Sequence, residues 1–168
     1  MPATYEPIAT QTLASTATLI TFSSIPATYT DLRLVVNYFS SNSQTYLNLR
    51  INSNSNVGGI YSDTYMRGIG SAAQSSRQTS VTEFAPLGYY GATSTVPAVS
   101  TLDFFSYAGS TNKTLLWSEA NDLNGTGQVY AVVGLWSSTA VINSLYLRAG
   151  NWPFGIGTTV TLYGIKNA

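Results

Sequence analysis

Residues 31–40, DLRLVVNYFS, and residues 45–52, TYLNLRIN, decide the fold of this 168-residue chain. In the first stretch Leu32, Leu34, Val36 and Tyr38 share one face of an extended chain, and Arg33, Val35, Asn37 and Phe39 share the other. In the second, Leu47, Leu49 and Ile51 oppose Tyr46, Asn48, Arg50 and Asn52. Apolar residues at every second position define strands with one buried face. Leu32, Leu34, Val36, Leu47, Leu49 and Ile51 are therefore expected to share one core, with Arg33, Asn48 and Arg50 facing solvent or a partner. The connector Ser40–Gln44 is short and polar, which predicts that the two segments pair as an antiparallel hairpin.

Working outward, extended segments are expected at Ile8–Leu13, Thr18–Ser23, Gly59–Arg67, Thr79–Phe84, Ser100–Tyr107, Thr114–Ala120, Val129–Trp136, Ile142–Arg148 and Thr158–Ile165. Turn clusters separate them at Ser53–Gly58, Ala108–Asn112, Asn121–Gly127 and Ala149–Gly157, and Pro26, Pro86, Pro97 and Pro153 fall at or beyond strand ends. No long stretch carries the apolar period of a helix. Arg67–Gln78, rich in Gly, Ser and Ala, is expected to be a loop. The pattern predicts one all-β domain over residues 1–168, an antiparallel β-sandwich of jelly-roll type. Met1, Pro2, Ala3, Thr4, Tyr5, Glu6 and Pro7 are expected to form an extended N-terminal arm. Such an arm, with two prolines, finds backbone partners by crossing to a neighbouring subunit.

Composition narrows the chemistry. There is no His and no Cys, and only 8% of residues are charged. The commonest general base, the softest nucleophile and the commonest metal ligands are thereby missing, and neither catalysis, nor a cofactor, nor a metal site is expected. Ser and Thr make up about a quarter of the chain, and 12 Tyr add phenols to this hydroxyl-rich surface. Seven basic and seven acidic residues leave no net charge to attract nucleic acid or an anionic membrane. The longest apolar run, Tyr130–Trp136, is far shorter than the roughly 20 residues of a membrane-spanning helix. No Lys or Arg precedes Arg33, so no secretory leader is expected. With so few charges to protect strand edges, a homo-oligomer is expected, a trimer being the favoured order.

Several residues invite chemical readings. Glu119 and Asp122, with Asp103, offer the two carboxylates of a glycan-cleaving site, against the plainer reading of turn carboxylates bonding backbone N–H groups. Asn121, Asp122, Asn124 and Gly125 supply oxygen ligands and a turn glycine, but their spacing departs from a calcium loop and fits an Asx-rich hairpin turn. Gly68-Ile69-Gly70 and Gly155-Ile156-Gly157 lack the spacing, lysine and helix of a phosphate loop. Tyr61, Tyr65, Tyr89 and Tyr90 lie in loop-flanked segments, where rings can stack on a glycan or a partner, or simply cap the ends of the sandwich. Trp117 and Trp136 lie on apolar strands and are expected in the core.

The runs Gly134-Leu135-Trp136-Ser137-Ser138-Thr139-Ala140, Gly150-Asn151-Trp152 and Val160-Thr161-Leu162-Tyr163-Gly164-Ile165-Lys166 resemble a family of small virion proteins of tailed bacteriophages, of the marine and cyanophage type. Ser23-Ser24-Ile25-Pro26-Ala27-Thr28-Tyr29-Thr30-Asp31-Leu32 resembles the same family, whereas Asn54–Pro97 matches in general character only. The resemblance implies a structural protein of the particle surface, made in the host cytoplasm. Decoration or cementing of the capsid, by bridging subunits of the major capsid protein or other virion proteins, is the first expectation. A tail fibre, spike or receptor-binding domain that contacts host-surface glycan is the alternative. The family offers no catalytic residue to carry over.

Overall fold

The computed structural model describes residues 5–52, 59–85 and 91–166. Every regular element among them is a strand: β1 (Tyr5–Thr12), β2 (Leu19–Phe22), β3 (Asp31–Tyr38), β4 (Leu47–Ile51), β5 (Tyr61–Ile69), β6 (Ala72–Val81), β7 (Ala98–Phe105), β8 (Lys113–Asp122), β9 (Gly127–Trp136), β10 (Leu145–Ala149) and β11 (Thr159–Ile165). They form two antiparallel sheets, one of eight strands in the order β1-β11-β3-β7-β8-β9-β5-β6 and one of three in the order β2-β10-β4. The molecule is a β-sandwich.

The two segments that decided the fold are both strands, and their apolar rows meet as expected. Leu32, Leu34 and Val36 of β3 and Leu47, Leu49 and Ile51 of β4 are each at most 1% exposed. At about 2 kcal/mol for each buried aliphatic side chain, these six contribute on the order of 10 kcal/mol. They do not form a hairpin. β3 lies between β11 and β7 in the large sheet, and β4 pairs with β10 in the small one. Alternation fixes which face is buried and is equally satisfied by a partner alongside or a sheet opposite; here the rows meet across the core. The connector is held by other loops, with the Ser40 N–H bonded to the Thr93 carbonyl and the Ser41 N–H to the Pro153 carbonyl.

The expected loop at Arg67–Gln78 is a strand pair. β5 and β6 join through Gly70 and Ser71, with Ile69 opposite Ala72, and Gly70 takes the positive φ of 55° that a two-residue hairpin turn demands. β6 is exposed along nearly all its length, so it carries no apolar alternation to read. It forms one edge of the large sheet. β1 forms the other, its pairing interrupted between Pro7 and Ala9.

Beyond β4, the small sheet is continued by irregular chain. Leu49 and Phe84 exchange backbone hydrogen bonds at 2.9 and 3.0 Å, and the Thr45 N–H reaches the Ala92 carbonyl at 3.0 Å. Phe84 is 1% exposed and packs edge-on against Tyr61, with ring centroids 4.9 Å apart.

Leu49, at the centre of this stack, gives a direct test. Leu49→Asp should cost several kcal/mol by burying an unpaired carboxylate, and lower the melting temperature by about 10–20 °C. Differential scanning calorimetry of the two proteins measures it.

Candidate functional site

Of the tyrosines singled out in the sequence, Tyr61 is fully buried. Its hydroxyl accepts the Ile51 N–H at 2.9 Å and donates to the Ile51 carbonyl at 3.3 Å. Tyr65 is 6% exposed and packs against Tyr130 at 5.8 Å. Neither ring can stack on a glycan without opening the core, which corrects the surface role expected of them. The cause is phase: Tyr61, Asp63, Tyr65 and Arg67 alternate onto the inner face of β5. Tyr89 and Tyr90 lie outside the described residues.

Met1, Pro2, Ala3 and Thr4 also lie outside them. Tyr5, Glu6 and Pro7 begin β1 and pair with Ile165, Gly164 and Tyr163, so the backbone of this part of the expected arm has partners within the chain. Side chains reinforce the pairing. Lys166 donates to both carboxylate oxygens of Glu6 at 3.2 and 3.3 Å, which holds that carboxyl below its ordinary value. Lys166 also lies 5.2 Å from the centre of the Tyr29 ring. That ring covers Gly164, where a Cβ would meet it at 2.3 Å. The Tyr-Gly-Ile-Lys ending and the Tyr29 segment, both quoted for the phage resemblance, thus pack on one another.

The three candidate carboxylates do not converge. Glu119 is buried on the inner face of β8, where it accepts hydrogen bonds from Ser100 Oγ at 2.7 Å and the Tyr38 hydroxyl at 3.1 Å. Asp103 faces outward and takes a bidentate grip on Arg33 at 2.5 and 2.8 Å. Asp122 is exposed and accepts the Asn124 N–H at 2.8 Å, closing an Asx turn. The Asn121 side chain is likewise engaged, donating to the Gly91 carbonyl at 2.9 Å and accepting the Gln128 N–H at 3.2 Å. Trp117 and Trp136 are core residues, each 1% exposed.

The most distinctive surface is the outer face of β7, β8, β9 and β5, which the sequence reading did not single out. One row across the sheet runs Asp103, Leu116, Val133, Thr64, Arg77; the next runs Thr101, Ser118, Ala131, Met66, Ser75. Met66 is 66% exposed, Val129 64%, Leu116 48%, Val133 44% and Phe105 42%. Between Thr114 and Ala120 and between Val129 and Leu135, β8 and β9 place no charge on this face. The flanking charges are the Arg33–Asp103 pair on one side and Arg77 on the other. Four strands at about 4.8 Å and seven residues at about 3.4 Å make a face of roughly 450 Å². Within it the apolar side chains of β8, β9 and Met66 are interspersed with Thr64, Thr101, Thr114 and Ser118, and an exposed apolar cluster of this kind marks an interaction site. The signal was present in β8 and β9, whose outward residues are nearly as apolar as their inward ones. A search of protein-family models, curated proteins and solved structures finds no match to this chain.

The inner face carries charges, among them Lys113 and Asp63, which the sequence reading did not single out, and Glu119, whose burial it did not anticipate. Lys113 is 1% exposed and donates to the Gly109 carbonyl at 2.6 Å, to the Thr111 carbonyl and to the Thr139 carbonyl at 3.4 Å. Burial pushes its pKa down, and burial pushes that of Glu119 up. Each lies in phase with apolar inward residues of its strand, Lys113 and Glu119 with Leu115 and Trp117, Asp63 with Tyr61 and Tyr65. Asp63 is 3% exposed, neither carboxylate oxygen has a hydrogen-bond partner, and burial raises its pKa to about 6.

A group whose folded pKa lies above its unfolded value keeps its proton in the native state after the unfolded chain has lost it. Its contribution to stability therefore falls as pH rises from about 4 towards 6 and is flat above. Ionising Asp63 at neutral pH costs of order 3 kcal/mol. Asp63→Asn should leave the melting temperature near pH 4 almost unchanged and raise it by about 5–10 °C at pH 7. Melting curves of both proteins across this range check the sign.

Proposed function

We propose that this chain is a structural protein of a tailed-phage virion. In this reading it decorates or cements the capsid by laying the outer face of its large sheet against a subunit of the shell. The observation that carries the docking mode is the largely apolar outer face of β8 and β9 with the adjoining Met66, which carries no charge between the Arg33–Asp103 pair and Arg77 and has Leu116 and Val133 at its middle. A stable interface buries about 800 Å² on each partner, so a face of roughly 450 Å² supplies its inner part, apolar along β8 and β9, and the surrounding polar strands its rim. The terminal runs quoted above supply the phage context. With its charges at the margins, such a contact depends little on salt at its centre, which suits a particle that persists outside a cell.

The jelly-roll branch of the sandwich architecture fits this reading. With the chain around Phe84 and Ala92 counted as a strand beside β4, one layer holds β1-β11-β3-β7 and the other β2-β10-β4 followed by that segment. In frame order this is first-eighth-third-sixth over second-seventh-fourth-fifth, the arrangement of two Greek keys folded together. β5-β6 and β8-β9 are then two insertions that pair with each other and widen the first layer. The exposed β6 edge is the natural place for copies to associate into the expected homo-oligomer.

Leu116→Lys combined with Met66→Glu places opposite charges on exposed positions of strands that are not neighbours. Stability should change by no more than about 0.5 kcal/mol per site. Particles assembled with this variant should lose it on sedimentation through a density gradient while retaining the wild-type protein. A variant that stays attached like the wild type overturns the docking mode.

A further inference from the structure

The opposite side of the sandwich carries a cleft of about 490 Å³, lined by Arg50, Arg148, Tyr146, Asn151 and Trp152 among others. It lies over the outer face of the small sheet, where Tyr146 of β10 is opposite Thr21 of β2 and Arg50 of β4. Two of the seven cationic residues of the whole chain meet here, around a single carboxylate. Arg148 donates to Glu83 Oε2 at 2.6 Å, and Arg50 Nε lies 2.9 Å from the same oxygen without the alignment of a hydrogen bond. Asn48 donates weakly to the other oxygen at 3.4 Å. Two guanidinium groups against one carboxylate leave one positive charge in excess. The Arg148 side chain is 38% exposed and that of Arg50 26%.

Beside this charge stands an aromatic surface that burial does not explain. Trp152 is 42% exposed, on a loop fastened along its length. The Ala149 N–H reaches the Thr18 carbonyl at 3.0 Å, and the Gly150 N–H the Tyr46 carbonyl at 2.9 Å. The Trp152 N–H donates to Thr45 Oγ1 at 3.3 Å, that buried hydroxyl donates back to the Trp152 carbonyl at 2.6 Å, and Phe154 and Ala17 exchange backbone bonds at 2.8 and 3.2 Å. A large ring held out to solvent by a loop with no slack is a pre-organised contact, whose ordering cost is met in folding rather than on binding.

We propose that this cleft binds a carboxylate-bearing sugar, with the pyranose face on Trp152 and its carboxylate on the free edges of Arg148 and Arg50. The chemistry selects this class. Planar guanidinium groups match a carboxylate in two-point contact, an exposed indole offers a flat apolar surface to ring C–H groups, and Asn151 offers its amide to hydroxyls. One excess positive charge balances one carboxylate and falls short of a diphosphate. The volume lies within the range of small-ligand sites. The site faces away from the proposed docking surface, so it stands or falls separately from that reading.

The test uses the indole N–H signals of the full chain in two-dimensional NMR. Trp152 is 42% exposed whereas Trp117 and Trp136 are each 1% exposed, so a ligand in the cleft moves one indole signal and leaves two in place. D-Glucuronate should move it with saturation in the millimolar range, at least tenfold tighter than D-glucose or acetate. Trp152→Ala, which removes the indole reporter and is followed instead at the backbone amide signals of Arg50 and Arg148, and Arg148→Gln, followed at the Trp152 indole, should each weaken glucuronate at least tenfold. Glu83→Gln, which removes the competing carboxylate, should tighten it about threefold, circular dichroism confirming that each variant is folded. No shift, or equal binding by the folded Trp152→Ala and Arg148→Gln proteins, overturns the site. Acetate or inorganic phosphate binding as well as glucuronate overturns the sugar assignment, leaving a plain anion contact.

Discussion

The eight-stranded sheet has more inner face than the three-stranded sheet can cover, and most of what is unusual in this molecule follows from that mismatch. At about 4.8 Å between strands the large sheet is roughly 34 Å across and the small one about 10 Å. The difference is partly made up by chain without regular structure, the Phe84 and Ala92 segments hydrogen-bonded along β4. Several inward positions of the large sheet take polar groups. Glu119 sits among Ser100 and Tyr38, Arg67 holds Gln74 and the Tyr130 hydroxyl, and Asp63 has no partner. Satisfied groups of this kind cost little, whereas an unpartnered carboxylate costs stability whenever it ionises. The inner layer thus sets the dry aliphatic rows of β3 and β4 beside polar groups carried by β3, β7, β8 and β5.

The alternation of Leu32, Leu34, Val36 and of Leu47, Leu49, Ile51 made the all-β class and the central core legible, because period 2 reports directly on one-sided burial. It could not report the partner of a strand, which is why β3 and β4 read as a hairpin and lie instead in opposite sheets. β6 was invisible for the complementary reason: a strand wet on both faces has no pattern to offer. The site was harder. Tyr61 and Tyr65 looked like surface aromatics from the loops near them, but counting in twos from either places both inside, and the same count brings Asp63 in with them. The Arg50–Glu83–Arg148 cluster unites residues up to 98 positions apart, the two arginines on strands whose pairing only the topology reveals and Glu83 in the chain after β6. Trp152 was quoted for its resemblance; its exposure depends on Thr45, more than 100 residues away.

The two faces of the sandwich suit different tasks. The outer face of the large sheet is broad and uncharged along β8 and β9, as expected of a surface that packs against another protein. The outer face of the small sheet is concave and carries one excess positive charge beside an exposed indole. A particle protein that docks through the first would present the second outward. The N-terminal strand is tied to this frame through Glu6, Lys166 and Tyr29, so the described part of the expected arm belongs to the sandwich itself.

Hydroxyl-radical footprinting of side chains, on the isolated protein and on particles that carry it, tests the central reading most directly. Met66, Phe105 and Leu116 are exposed in the free chain and should react there, and their oxidation should fall at least fivefold on the particle while Trp152 remains reactive. Unchanged reactivity at Met66 and Leu116 on the particle, with protection elsewhere, would contradict docking through the large sheet.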